Sequence, residues 1–169
     1  MKNFLILTFF ILGFRQISFS QSQSPEAKLK ELGLELPEIT APIANYVKWR
    51  QVGNVLYLAG TGPDVFGKVG SDLSTEQGYQ AARETGLEVI AVLQKATGDL
   101  SKIKQFVKVL GMVNSDPEFT AQPAVINGFS DLMVEVFGEK GKHARSAVGV
   151  AALPNNMAVE IEVIVELYD

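Results

Sequence analysis

Lys142-His143-Ala144-Arg145-Ser146 lies between Gly141 and an apolar run, and no other segment of this sequence is better suited to hold an anion. An arginine at a strand start, with Ala144 and Ser146 as small neighbours, can turn its guanidinium toward a cleft. That planar fork matches a carboxylate with two parallel N–H···O bonds. The competing use of Arg145 is a weak surface pair with an acid such as Glu139, which is the commoner fate of arginines in general. Glu160 and Glu162 alternate with Val159, Ile161 and Val163, so the two acids share one face of a strand. A carboxylate placed there can hold and activate a water, or it can simply be solvated. Gly60-Thr61-Gly62 reads as a turn whose backbone can approach a ligand. It lacks the third glycine and the following helix of a dinucleotide fingerprint. Asn127 is a polar residue among apolar neighbours within a helical stretch, where a surface position is the simplest reading.

Other chemistries are poorly supplied. His143 is the one histidine, and it stands beside an arginine segment rather than in a nucleophile arrangement. No G-x-S-x-G elbow is present. There are no cysteines, and no Asp or Glu cluster has ligand spacing, so no metal site is expected. The net charge is −4, which repels phosphate backbones; no nucleic-acid partner is expected. The lysines at 102, 104 and 108 and at 140 and 142 are not interleaved with aromatics for base stacking, and read as solvated edges.

These residues must be positioned by a small domain. The chain has 169 residues, a length that suits one domain with a real core. Tyr46 to Val52 and Val55 to Ala59 read as strands joined by a Gly53-Asn54 hairpin turn. Ser74 and Gln77 form a capping box for a long helix that Gly98 closes. Its small residues Ala82 and Gly86 predict close packing on a sheet. Ile103 to Val113 reads as a long strand, with Lys102, Lys104 and Lys108 on one parity and Val107, Val109 and Val113 on the other. A second helix runs from Ala124 to Phe137, with Val125, Phe129, Leu132, Met133 and Val136 as its buried stripe. Ser146 to Leu153 and Ala158 to Leu167 are two further strands around Pro154-Asn155-Asn156. The order hairpin, helix, strand, helix, two strands predicts a two-layer α+β domain.

The N-terminus differs in kind. Lys2 leads into an apolar run from Phe4 to Phe14, followed by small residues at Ser18 and Ser20. The run is shorter than the roughly 20 residues needed to span a bilayer. The pattern is that of a signal peptide over residues 1–20, and predicts export to a periplasmic or extracellular location with no membrane attachment afterwards. Its removal would take Lys2 and Arg15 and leave 13 basic against 19 acidic residues. Residues 21–35 form a polar linker and a short helix, with Ser24 as N-cap and Pro25 at the first position. The main domain is expected over 36–169.

From Leu36 to Leu167 the chain resembles the RidA (YjgF) family, the enamine/imine deaminases also labelled endoribonuclease L-PSP. The most specific stretch is His143-Ala144-Arg145-Ser146-Ala147-Val148-Gly149-Val150-Ala151-Ala152-Leu153-Pro154, followed by Val159-Glu160-Ile161-Glu162. Asn45-Tyr46-Val47, Gly53-Asn54 and Leu58-Ala59-Gly60 resemble the family's first hairpin, and Val125-Ile126-Asn127-Gly128 through Gly138 resembles one of its branches. The resemblance implies a chorismate-mutase-like domain, a mixed sheet with two long helices on one face. It further implies a homotrimer with clefts between subunits, no cofactor, and hydrolysis of 2-imino or 2-enamino acids to 2-keto acids and ammonia. In that reading Arg145 holds the substrate carboxylate and Glu160 polarises the attacking water. The Gly60 backbone meets the nitrogen side, Tyr46 closes the cleft, and Asn127 and Ala144 line it. The chain departs from the family at His143, where proline is common, at Ala147, where cysteine is common, and at Ala59, where serine precedes the glycine. A non-catalytic trimer that binds small carboxylates is the first alternative function, and an endoribonuclease the second.

One constraint is geometric. If residues 146–153 and 158–167 made a tight hairpin, Glu160 would lie opposite Ala151, with Arg145 roughly 20 Å away at ~3.3 Å per residue. A shared site then requires that these strands are not neighbours, or that two subunits combine.

Overall fold

A computed structural model describes residues 23–42 and 44–169. The expected signal peptide, residues 1–20, lies outside the described residues. Helix α1 is Pro25–Glu31, capped by the Ser24 hydroxyl accepting from the Ala27 N–H. Leu29 buries into the core, and the Glu26 carboxylate accepts from the Leu100 N–H at 2.7 Å, so the short helix is docked. Strands β1 (Trp49–Val52) and β2 (Val55–Leu58) form the expected hairpin about Gly53, whose φ of 59° suits glycine. Tyr46 precedes β1 rather than starting it.

Helix α2 (Thr75–Thr97) carries the capping box of Ser74 and Gln77 and ends at Gly98 in the left-handed conformation. Helix α3 is Gln122–Phe137, with Pro123 in its first turn. Its stripe of Val125, Phe129, Leu132, Met133 and Val136 is buried as the period predicted. The close packing at Gly86 is against α3, not a sheet: a side chain there would meet Leu132 at 2.8 Å and Met133 at 3.3 Å. Small residues on α2 therefore admit the neighbouring helix.

Strand β3 is Ile103–Asn114, β4 is Ala144–Val150 and β5 is Val159–Leu167. The sheet order is β1-β2-β5-β3-β4. Strand β4 runs parallel to β3 through the α3 crossover, and every other pair is antiparallel. Residues 146–167 are thus not a hairpin; the turn at Pro154–Asn156 carries the chain past β3 to its other side. Register shifts in the β3–β5 pairing at Ile103/Gln105 and Phe106/Lys108 break the simple parity of β3. Phe106 turns inward and Val107 is 39% exposed, so Val107 does not share a side with Val109 and Val113 as simple alternation predicts. Gly111 lets Ile126 of α3 settle on the sheet, since a Cβ there would stand 2.7 Å from that side chain.

The fold is a two-layer α+β domain. Val109, Val113, Ile161, Val163 and Val165 face the helices and are buried. Tyr57, Lys108, Leu110, Met112, Val148, Glu160, Glu162 and Ile164 take the opposite parity and face away from them.

Candidate functional site

Arg145 stands second on β4, the edge strand, in register with Val109 and so on the helix side of the sheet. Helix α3 crosses above it. Asn127 and Ser130 are three residues apart, one turn of α3, and present their polar ends to the same guanidinium. Arg145 Nη1 donates to Asn127 Oδ1 and to Ser130 Oγ, each at 2.9 Å. Among the described residues the competing surface pair with Glu139 is not formed; Glu139 pairs with Lys142 instead.

His143 completes this cluster. Its Nδ1 lies 2.7 Å from the Gly141 carbonyl, which only accepts, so Nδ1 carries the proton. In the neutral ring Nε2 is then an acceptor, and it lies 3.1 Å from Ser130 Oγ. Phe129 meets the ring edge-on at a centroid distance of 5.9 Å. Burial holds the imidazole below its ordinary pKa of 6.5; the Gly141 bond opposes that shift and the charge of Arg145 adds to it. Ala144 is exposed on the other parity of β4.

Glu160 lies on β5, paired with Met112, on the open face. Gly60 sits against it: a Cβ at Gly60 would collide with the Glu160 carboxyl oxygen. Only glycine lets the backbone come so close to that carboxyl. Among the described residues, the N–H and C=O of Gly60 take part in no backbone bond. Burial, and secondly the neighbouring Glu162, push the Glu160 carboxyl above its usual range. Tyr46, 48% exposed, lines a concavity with Ile39, Ala41, Pro42, Trp49 and Lys95, at the edge of the sheet remote from β4.

The structure therefore joins Arg145 with Asn127, and Glu160 with Gly60, as two separate clusters. They do not meet in one chain. Glu160 aligns with Met112 and Val148, two strands and three residues from Arg145, or roughly 14 Å by ordinary strand spacings. They also occupy opposite faces. Sequence reasoning missed Ser130 as an arginine partner and took His143 only as a departure from the family. The i, i+3 spacing of Asn127 and Ser130 was the available signal. Among the described residues, no group of three His, Cys, Asp or Glu could hold a metal ion.

Comparison with known proteins agrees with this architecture. The chain is 45% identical over 148 residues to protein TCP17 of Trypanosoma cruzi, covering 83% of this chain and 92% of that one. It is 32% identical over 134 residues to a 2-iminobutanoate/2-iminopropanoate deaminase of Dermatophagoides farinae, covering 78% and 93%. The crystal structure of Atu1372 from Agrobacterium tumefaciens, a protein of unknown function, superposes with a TM-score of 0.79 at 44% identity, covering 86% and 94%. The YjgF/chorismate mutase-like family model, whose description also carries an endoribonuclease label, matches residues 26–167. With that match spanning the two long helices, α2 and α3, and all five strands, the chain belongs to the RidA (YjgF) family.

Proposed function

We propose that the protein hydrolyses 2-imino or 2-enamino acids to 2-keto acids and ammonia, as a homotrimer whose sites combine two subunits. The carrying observation is the held guanidinium of Arg145. Asn127 and Ser130 take both protons of Nη1, so the group is fixed before a ligand arrives. Among the described residues, Nη2 and Nε have no hydrogen-bond partner and remain for a carboxylate. The similarity to an iminobutanoate deaminase supports the same reading.

The chemistry needs little machinery. An enamine first takes a proton at carbon, and an imine one at nitrogen, to become the iminium. Glu160 removes a proton from water as its oxygen bonds to C2, giving a carbinolamine. The same carboxyl returns that proton to nitrogen, and as the C–N bond breaks it takes the proton of the C2 hydroxyl, so that ammonia leaves and a 2-keto acid remains. A carboxyl pushed above its usual range accepts and returns that proton more evenly than an ordinary glutamate. The free Gly60 carbonyl can accept from the iminium N–H.

The separation of Arg145 from Glu160 within one chain supports the trimer part of the reading. A second reading draws on that same separation: a protein that uses Arg145 to bind carboxylates without turnover. Variants separate the two. Arg145→Ala is expected to abolish both keto-acid binding and turnover, whereas Glu160→Ala keeps binding and loses turnover. Undiminished turnover in the Glu160 variant removes the catalytic role assigned here.

A further inference from the structure

We propose that Ser130 and His143 are positioning residues that fix which edge of the Arg145 guanidinium meets the substrate carboxylate. The proposal rests on Arg145 being the carboxylate anchor. A guanidinium has two forks, one between Nη1 and Nη2 and one between Nη2 and Nε. Nη1 has two protons, and both are spent on Asn127 and Ser130. The end-on fork is thereby closed, and the Nη2–Nε edge is the one left for two parallel bonds to a carboxylate.

His143 decides how firmly that edge is set. A serine hydroxyl rotates and can present either its proton or its lone pairs. Only the lone pairs can meet Arg145 Nη1. The Gly141 carbonyl fixes the proton of His143 on Nδ1, so Nε2 takes the Ser130 proton and keeps it turned away from the arginine. The four groups form one directional chain: Nη1 donates to Oγ, Oγ–H donates to Nε2, and Nδ1–H donates to the backbone. Phe129 and Phe106 pack around the ring, 5.9 Å and 6.5 Å between centroids, and limit its freedom to reorient. Asn127 alone would leave the guanidinium free to swing about a single bond.

The test measures pyruvate affinity by calorimetry, and KM and kcat with an imino acid made in situ, on wild-type protein and variants. Ser130→Ala and His143→Leu are each expected to weaken pyruvate binding about tenfold and to raise KM similarly, with kcat held within about twofold. His143→Gln supplies an amide oxygen where Nε2 stood, and is expected to restore affinity to within about threefold of wild type. Circular dichroism on each variant separates loss of the relay from loss of the fold, and Ser130→Ala, at a half-buried helix position, carries the test if His143→Leu does not fold. Wild-type affinity in Ser130→Ala, alongside lost binding in Arg145→Ala, overturns the relay and leaves the anchor standing. Equal losses in His143→Gln and His143→Leu also overturn it, since ring packing rather than the acceptor would then matter. Wild-type binding in Arg145→Ala instead overturns the anchor itself.

Discussion

Arg145 shows how far a residue's role can be read from its neighbours in the chain. Its small flanking residues and strand-start position were visible, and the structure gives it a directed guanidinium rather than a surface pair. Its partners were not visible. Ser130 stands 15 positions away on α3, and only the crossover brings it overhead. His143 has a consequence of its own at this scale. Its pKa is depressed chiefly by burial, so the unfolded chain takes up this proton before the folded one does as pH falls. The stability it carries is complete above its ordinary pKa of 6.5 and is lost as pH drops through the depressed native value. Thermal melts between about pH 7.5 and about pH 5 should therefore fall more steeply for wild type than for His143→Gln, which has no titrating group there. Identical slopes would show that His143 is not held neutral.

At the scale of elements, periodicity and caps were the legible part. The capping box of α2, its glycine stop and the buried stripe of α3 all stand where the sequence pattern put them. Strand pairing was less legible, because hydrogen bonding between strands depends on residues far apart in sequence. Pro154-Asn155-Asn156 signals a turn, yet nothing local says that β3 inserts between β4 and β5. The inward turn of Phe106 was hidden for the same reason, since a bulge is a property of the pair. Helix α3 positions the arginine partners only because it lies close to α2 and the sheet. Gly128 is central to that approach: a Cβ there would run into the Tyr79 carbonyl oxygen and stand 3.2 Å from the Arg83 backbone nitrogen. Neither backbone atom can swing aside. Gly128→Ala should cost about 1–3 kcal/mol or more in denaturant unfolding, as overpacking commonly does. It should also weaken carboxylate binding by lifting Asn127 and Ser130. An unchanged unfolding midpoint would mean that the two helices separate freely.

Among the described residues, one face of the sheet has no helical cover. Tyr57 and Val148 are 45% and 41% exposed there, beside the partly buried Leu110, Met112 and Ile164. An apolar face of this kind on a small domain marks a contact surface. The homotrimer proposed above covers it and brings the Glu160 of one subunit toward the Arg145 of another. Val148→Glu leaves the buried core untouched and should give a monomer in sedimentation, with intact helix content and no turnover. A monomer that still turns over would contradict the shared site. The most direct test of the central claim is a coupled assay in which an amino-acid oxidase generates 2-imino acids and keto-acid release is followed. Faster release with wild-type protein, abolished in Arg145→Ala, is the predicted result; no acceleration with any of several amino acids would contradict the deaminase.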